Sequence, residues 1–124
     1  MKMIQETKKI LGDESIAVTA TCVRVPVLTS HSVSVTVETE KKLTAEDCRA
    51  LFQNAPGLVL MDDIANGVFP MPIQTAETDP VYVGRIREDL AFTNGLSMWI
   101  VADNLRKGAA LNAVQIAEVM IQNQ

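Results

Sequence analysis

The chain has 124 residues, of which 48% are hydrophobic and 21% are charged, a balance typical of one globular domain with a single core. Its net charge of −4, with the basic residues in small groups among acids, argues against a nucleic-acid partner, and no apolar run approaches the roughly 20 residues that a membrane-spanning helix needs. Two cysteines and one histidine are too few for the four ligands of a structural zinc site, so we expect a cytoplasmic domain with reduced thiols and no bound metal.

The first third of the chain predicts a helix followed by two strands. Apolar residues at spacings of three and four predict a helix over residues 2–11, with Gly12 as its C-terminal cap. β-branched residues in rough alternation predict strands at 16–25 and 33–39. Pro26 marks the end of the first of these strands, because proline cannot donate a hydrogen bond to a ladder.

The middle of the chain predicts a short helix, a brief strand and a long loop. Thr44 and Asp47 resemble a capping box that opens a helix at 45–53. The apolar residues 58–61 predict a brief strand, whereas 62–80 are rich in Asp, Asn, Gly, Pro and Thr. We expect this last stretch to be an irregular loop, which at such a length is usually functional or lies at a subunit contact.

The last third predicts two strands and a helix. The strands are predicted at 81–86 and 95–103, and the helix at about 105–122, with Asp103 or Asn104 as its N-cap. The apolar stripe of this helix comprises Ala109, Ala110, Ala113, Val114, Ile116, Ala117, Met120 and Ile121. Adjacent strands mixed with helices favour an α+β fold, with a mixed β-sheet and flanking helices.

Polar residues in the stretch TATCVRVPVLTSHS, residues 19–32, are candidates for chemistry. If the first two predicted strands form a hairpin, Arg24 and the only histidine, His31, lie at one edge of the sheet. A guanidinium binds a carboxylate through two parallel hydrogen bonds, and an imidazole both takes and gives a proton near neutral pH. The alternatives are a solvated turn residue for His31 and a surface ion pair for Arg24. Cys22 and Cys48 are both expected in the core.

Five stretches of the chain occur in an order and spacing that resemble a known enzyme family. They are ETKKIL (6–11), TATCVRVPVLTSHS (19–32), NAPG (54–57), YVGRIR (82–87) and VADNLRKGAALNAVQIAE (101–118). From Lys2 to about Ile121, the chain resembles the C-terminal part of aspartate-β-semialdehyde dehydrogenase of the Gram-positive type. The resemblance implies a fold like the C-terminal domain of glyceraldehyde-3-phosphate dehydrogenase.

The resemblance also implies a reaction, the NADPH-dependent reduction of β-aspartyl phosphate to aspartate semialdehyde with release of phosphate. This step leads towards lysine, methionine, threonine and diaminopimelate. In the family, a cysteine thiolate forms a thioacyl intermediate that takes hydride from the nicotinamide.

Carried over one residue at a time, the resemblance implies roles for four positions. His31 matches the acid/base histidine, and Arg24 matches the arginine that holds the α-carboxylate of the substrate. Lys2 matches a lysine of the phosphate-binding site, and Asn104 matches an amide that approaches the nicotinamide of NADP. No metal is implied.

Other parts of the family's site have no counterpart in this chain. The nucleophilic cysteine of the family belongs to an asparagine–cysteine motif in a preceding region, and Cys22 is not that cysteine. The glycine-rich NADP-binding domain and an acidic substrate ligand three positions before Lys2 are also missing. We therefore expect the isolated chain to be inactive.

The resemblance further implies a division of the chain. Residues 1–104 correspond to a substrate-binding and dimerisation domain that is truncated at its N-terminus. Residues 105–124 correspond to a helix that packs, in the family, on the NADP-binding domain. Without that domain the apolar stripe of the helix is expected to be exposed, so we predict self-association, at least a dimer through the sheet.

Two alternatives stay open from the sequence. One is a free-standing dimerisation module without a catalytic role, against which the intact His31 and Arg24 argue mildly. The other is a related acyl-phosphate reductase such as N-acetylglutamyl-phosphate reductase, although the pattern CVRVP followed by HS favours the aspartyl enzyme.

Overall fold

A four-stranded mixed sheet organises the computed structural model, which describes residues 2–123. Met1, the first residue of the predicted domain 1–104, and Gln124, the last residue of the predicted segment 105–124, lie outside the described residues. The strand order is β1-β4-β3-β2, with β1 (His31–Glu38), β2 (Leu58–Leu60), β3 (Val81–Glu88) and β4 (Gly95–Ala102). β4 pairs antiparallel with β1 and β3, whereas β2 pairs parallel with β3. Helices flank this sheet, which confirms the predicted α+β fold.

Within residues 2–123 the helices are α1 (Lys2–Leu11), α2 (Ala45–Gln53), α3 (Pro72–Thr75) and α4 (Ala110–Gln122). α1 and α2 have the predicted bounds. The start of α2 is fixed locally, because the Thr44 hydroxyl accepts the Asp47 amide at 3.1 Å and the Asp47 carboxylate accepts the Thr44 amide at 3.3 Å. This reciprocal pair is the capping box that the sequence predicts.

The hydrophobic core lies between the sheet and α2. Its buried members are Cys48, Val83, Ile86, Leu96 and Met98. Side chains alternate along β4, so that Leu96 and Met98 face the same side. Cys48 is buried, as predicted, and its burial raises the pKa of the thiol, which keeps it protonated.

The prediction of a strand at 16–25 is wrong. These residues follow α1 in an irregular and exposed course, and they pair with no strand of the described chain. The expected hairpin is therefore wrong as well, since β1 pairs with β4. β-branched composition does not make a strand unless a neighbouring strand satisfies the backbone N–H and C=O groups.

Cys22 is exposed, which corrects the expectation of a core position. Its segment lies against α1, where Cys22 Sγ is 3.3 Å from Met3 Sδ. Val23 and Leu28 of the same segment are also exposed, so its apolar side chains enter no core among the described residues.

The final helix begins later than predicted. α4 starts at Ala110 instead of about 105, and neither Asp103 nor Asn104 is its N-cap. Turns occupy 104–109, where Gly108 adopts the left-handed region with a φ of 84° that interrupts a continuous helix. No residue of α4 is buried, so its apolar stripe is exposed, as predicted.

The predicted loop at 62–80 contains α3 and is fixed to the sheet. Trp99, which alternates with the core residue Met98 along β4, donates its indole N–H to the Pro70 carbonyl at 3.1 Å. Pro70 also packs so closely on Gly84 of β3 that a Cβ there would lie 2.6 Å from Pro70 Cδ. The loop therefore holds α3 at a defined place beside β3 and β4.

Candidate functional site

His31 and Asn104 lie at one end of the sheet. His31 is the first residue of β1 and pairs with Ala102, the last residue of β4, and Asn104 follows Ala102 by two positions. An antiparallel pair places the start of one strand beside the end of the other, which explains this arrangement. Both side chains are exposed.

Ser30, directly before His31, adopts the left-handed region with a φ of 82°. This conformation is uncommon for a residue other than glycine and costs on the order of 1–3 kcal/mol. Ser30 is nevertheless buried, and its hydroxyl donates to the Pro72 carbonyl at 3.4 Å and accepts from Thr75 Oγ1 at 3.1 Å. These bonds tie the backbone that leads into His31 to α3.

Asp103 fixes the turn that carries Asn104. Its buried carboxylate accepts the Glu77 amide and the Leu105 amide, each at 2.8 Å. These two backbone hydrogen bonds, the bond from Glu77 first, hold the pKa of the Asp103 carboxyl below its usual range. An ionised carboxylate therefore organises this turn near neutral pH.

Lys2 and Arg24 lie outside the sheet. Lys2 is in α1, where its Nζ is 3.6 Å from Glu6 Oε1 and its side chain is 84% exposed. Arg24 is exposed in the irregular segment whose Cys22 contacts α1, so the segment of Arg24 lies beside the helix of Lys2. Within residues 2–123 no hydrogen bond or ion pair joins either side chain to His31.

An open cleft of about 300 Å³ lies beside β3 and β4. Its lining combines apolar side chains, among them Phe69, Met71 and Trp99, with the guanidinium groups of Arg85 and Arg87. None of the four predicted site residues lines this cleft, although Pro72, which accepts a hydrogen bond from Ser30, does.

The arrangement at the end of the sheet can exchange a proton with a molecule that docks there. The imidazole is exposed, and the Asn104 amide at the same end of the sheet can both donate and accept a hydrogen bond. Neither thiol is hydrogen-bonded to His31 in the described part of the chain, since Cys48 is in the core and Cys22 contacts α1. The histidine therefore has no thiol partner among residues 2–123.

Sequence reasoning missed the buried hydroxyls and the carboxylate that support this end of the sheet. Ser30 is 45 positions from Thr75, and Glu77 is 26 positions from Asp103. Contacts over such separations leave no local pattern. The one available signal is the hydroxyl run TSHS around the histidine, which fits a solvated turn equally well.

The chain matches a protein family and several known enzymes. Residues 1–107 match the family model described as semialdehyde dehydrogenase, dimerisation domain. The aspartate-semialdehyde dehydrogenase of Aquifex aeolicus is 54% identical over 98% of this chain and 36% of its own length. The enzyme of the same name from Bacillus subtilis is 50% identical over 95% of this chain and 34% of its own length.

A solved structure shows the same fold. The crystal structure of aspartate semialdehyde dehydrogenase II from Vibrio cholerae, complexed with ASA, matches with a TM-score of 0.92 at 44% identity. The match covers 98% of this chain and 36% of that one. Among the helices of residues 2–123, none has both the length and the apolar character needed to cross a membrane.

The chain spans about a third of the length of the curated relatives it matches. The description of the family model as a dimerisation domain is consistent with self-association. With the identity, the family match and the fold in agreement, the chain belongs to the semialdehyde dehydrogenase family and corresponds to the C-terminal dimerisation part of its aspartate-semialdehyde dehydrogenases.

Proposed function

We propose that this chain supplies the acid/base group and the anion-binding side chains of an aspartate-semialdehyde dehydrogenase. The whole enzyme would reduce β-aspartyl phosphate to aspartate semialdehyde and phosphate. The observation that carries this proposal is the match to the Vibrio cholerae enzyme complexed with ASA, which extends over nearly the whole chain.

His31 is the proposed general acid and base. Its imidazole is exposed at the end of the sheet, where it can take a proton from an incoming thiol and return one to the bound substrate. The nucleophilic thiol would come from the part of the enzyme that precedes this region, because Cys48 is buried and Cys22 lies against α1.

Arg24 and Lys2 are the proposed anion-binding residues. The Arg24 guanidinium is exposed and forms no ion pair within residues 2–123, which leaves its paired donors free for the α-carboxylate of the substrate. Lys2 would bind the phosphate as a point charge, and its pairing with Glu6 at 3.6 Å on an exposed surface is weak enough to be displaced.

Asn104 is the proposed contact to NADP. NADPH supplies hydride when it is bound. The exposed amide of Asn104 fits the carboxamide of a nicotinamide, since each amide both donates and accepts a hydrogen bond. The carboxylate of Asp103 holds the turn on which this amide is presented.

The proposal includes the division of the chain at residue 104. Residues 1–104 would form the substrate-binding and dimerisation domain, and 105–124 would pack on the NADP-binding domain. The exposure of Val114, Ile116 and Met120 on α4 supports this division, because an apolar face of this kind normally contacts another surface.

A chimera tests the proposed function. The chain replaces the 121-residue region that it matches in the Aquifex aeolicus relative. We expect NADPH-dependent turnover of β-aspartyl phosphate by the chimera and none by the isolated chain. In the chimera, His31→Asn is expected to lower kcat by about 10²–10⁴-fold, the usual contribution of general acid–base catalysis.

The matched control is Glu38→Gln, a substitution of an exposed polar residue at the opposite end of β1. It is expected to leave kcat unchanged. A folded chimera that shows no turnover contradicts the proposed function, whereas an active chimera that His31→Asn leaves unaffected contradicts only the role of His31.

A further inference from the structure

We propose that Ser30 and Thr75 are positioning residues for His31. Through these two hydroxyls, α3 braces the start of β1 and sets the direction in which the imidazole leaves the sheet. The inference rests on the proposed acid/base role of His31 and goes beyond it by naming the side chains that act through the histidine.

The hydroxyl contacts form a small, largely buried polar cluster. Thr75 is fully buried, and its Oγ1 lies 3.1 Å from Ser30 Oγ and 3.3 Å from the Pro72 carbonyl oxygen. Ser30 Oγ lies 3.4 Å from the same carbonyl oxygen. The bond between the two hydroxyls is the shortest of the three contacts, so the removal of either hydroxyl leaves the other with only its longer contact to the Pro72 carbonyl.

The backbone at Ser30 is strained for a residue other than glycine. With a φ of 82°, this position suits glycine, which adopts the left-handed region without strain. A serine accepts that strain and places its side chain inward, where it is 5% exposed. The residue held in this way directly precedes His31, and strained backbone of this kind is concentrated at functional sites.

The segment that carries α3 is itself fixed to the sheet. Pro70, two residues before α3, accepts the indole N–H of Trp99 and packs against Gly84. On the other side of α3, the Glu77 amide donates to the carboxylate of Asp103, which directly follows β4, at 2.8 Å. Since α3 is anchored to β3 and β4 independently of β1, its hydrogen bonds to Ser30 restrain the start of β1.

The single histidine provides a direct readout. We would measure the ¹⁵N order parameter of the His31 amide, and the line shape of its imidazole signals, in the 124-residue chain. The wild-type amide is expected near the value of about 0.85 that is typical of rigid backbone. Thr75→Val, which keeps the shape but removes the hydroxyl, is expected to lower it towards about 0.6, and Thr75→Ser is expected to restore it.

Ser30→Gly is the second variant. Glycine relieves the strain at this φ while it removes the hydroxyl, so the fold is preserved and the effect on His31 stays measurable. The matched control is Ser97→Ala, which removes a buried hydroxyl bonded to Thr36 and Asp89 on another part of the sheet. The control is expected to leave the order parameter of the His31 amide unchanged.

Two results would overturn the proposal. One is a wild-type order parameter at His31 in both Ser30→Gly and Thr75→Val, and the other is an equal loss of order in Ser97→Ala. In the active chimera described above, Thr75→Val is expected to lower kcat about tenfold or more with little change in KM, and Thr75→Ser to recover it. Because the order parameter does not depend on turnover, failure of the proposed positioning role of Ser30 and Thr75 is distinguishable from failure of the proposed acid/base role of His31.

Discussion

Asp103 and Glu77 are joined across the end of the sheet by a 2.8 Å hydrogen bond, which the Glu77 amide donates to Asp103 Oδ2. Glu77 adopts a φ of 62°, and it follows α3 by two residues. The same short segment therefore contacts both Ser30, before the histidine, and Asp103, before the amide. Two side chains proposed to meet substrate and cofactor thus depend on one element.

The carboxylate of Asp103 predicts a specific response to pH. Its pKa is lower in the folded chain than in an unfolded one, so its stabilisation is present above roughly pH 4 and is lost as the pH falls through the folded-state pKa. We expect Asp103→Asn to be less stable than wild type at pH 7 and to lose less stability than wild type below pH 4. Urea unfolding at pH 2.5–7 measures this, with Glu38→Gln as control, and equal pH dependence in the Asp103 variant and wild type contradicts it.

Anion binding by Arg24 and Lys2 can be tested on the isolated chain. We expect phosphate and a small dicarboxylate to raise the melting temperature by a few degrees at about 100-fold excess over Kd. Arg24→Ala is expected to remove the dicarboxylate effect, and Lys2→Ala the phosphate effect. Arg87→Ala, in the cleft beside β3 and β4, is the matched control. An equal shift in Arg24→Ala and wild type would contradict dicarboxylate binding by Arg24.

The two thiols are expected to differ sharply in reactivity. Cys22 is exposed, whereas Cys48 is buried and the pKa of its thiol is raised by burial. An aromatic disulfide reagent at pH 8 is therefore expected to titrate one thiol in the native chain and two after addition of denaturant. In Cys22→Ser no fast thiol should remain, and a fast reaction in that variant would show that Cys48 is accessible.

Gly84 is expected to be intolerant of any side chain. A Cβ there would lie 2.2 Å from the Met61 carbonyl oxygen and 2.6 Å from Pro70 Cδ, so the loop that carries α3 would have to move. We expect Gly84→Ala to cost about 3 kcal/mol in the free energy of unfolding. Gly57→Ala, which has a φ of 73° but nothing within 4 Å of the added atom, should cost about 1 kcal/mol. Chemical denaturation compares the two variants, and an equal cost would contradict the close packing.

Exposed apolar side chains on α4 predict association. Ile116 is 55% and Met120 is 64% exposed, and the family model is a dimerisation domain. We expect light scattering to report at least a dimer at high protein concentration, and the double variant Ile116→Lys with Met120→Lys to reduce species larger than the dimer. A monodisperse monomer of the wild-type chain would contradict the prediction.

The sequence predicts those elements whose stabilising contacts are local. The helix at 45–53 is an example, because the capping box lies within four residues, Thr44 to Asp47. The predicted strand at 16–25 is wrong because a strand needs a neighbouring strand to pair with. In the sheet, β1 pairs with β4 and not with residues 16–25. The predicted start of α4 is wrong because Gly108 interrupts the helical course before Ala110.

The residues of the candidate site also differ in whether the sequence predicts them. His31, Arg24, Lys2 and Asn104 come from motifs in the sequence, and their roles remain predictions. The structure adds the juxtaposition of His31 with Asn104, which depends on the pairing of β1 with β4. It also adds Ser30 and Thr75, whose contact spans 45 positions and has no signature in either segment.

Neither terminal helix buries a residue, and the core lies between the sheet and α2. Helices of 10 and 13 residues are marginal in water without packing, so amide hydrogens in α1 and α4 should exchange far faster than those of β3 and β4. We therefore expect the sheet with α2 to be the cooperative unfolding unit of the chain. Lys2 lies in α1, outside that unit. How well its proposed phosphate-binding side chain is ordered therefore depends on what α1 packs against in the proposed whole enzyme.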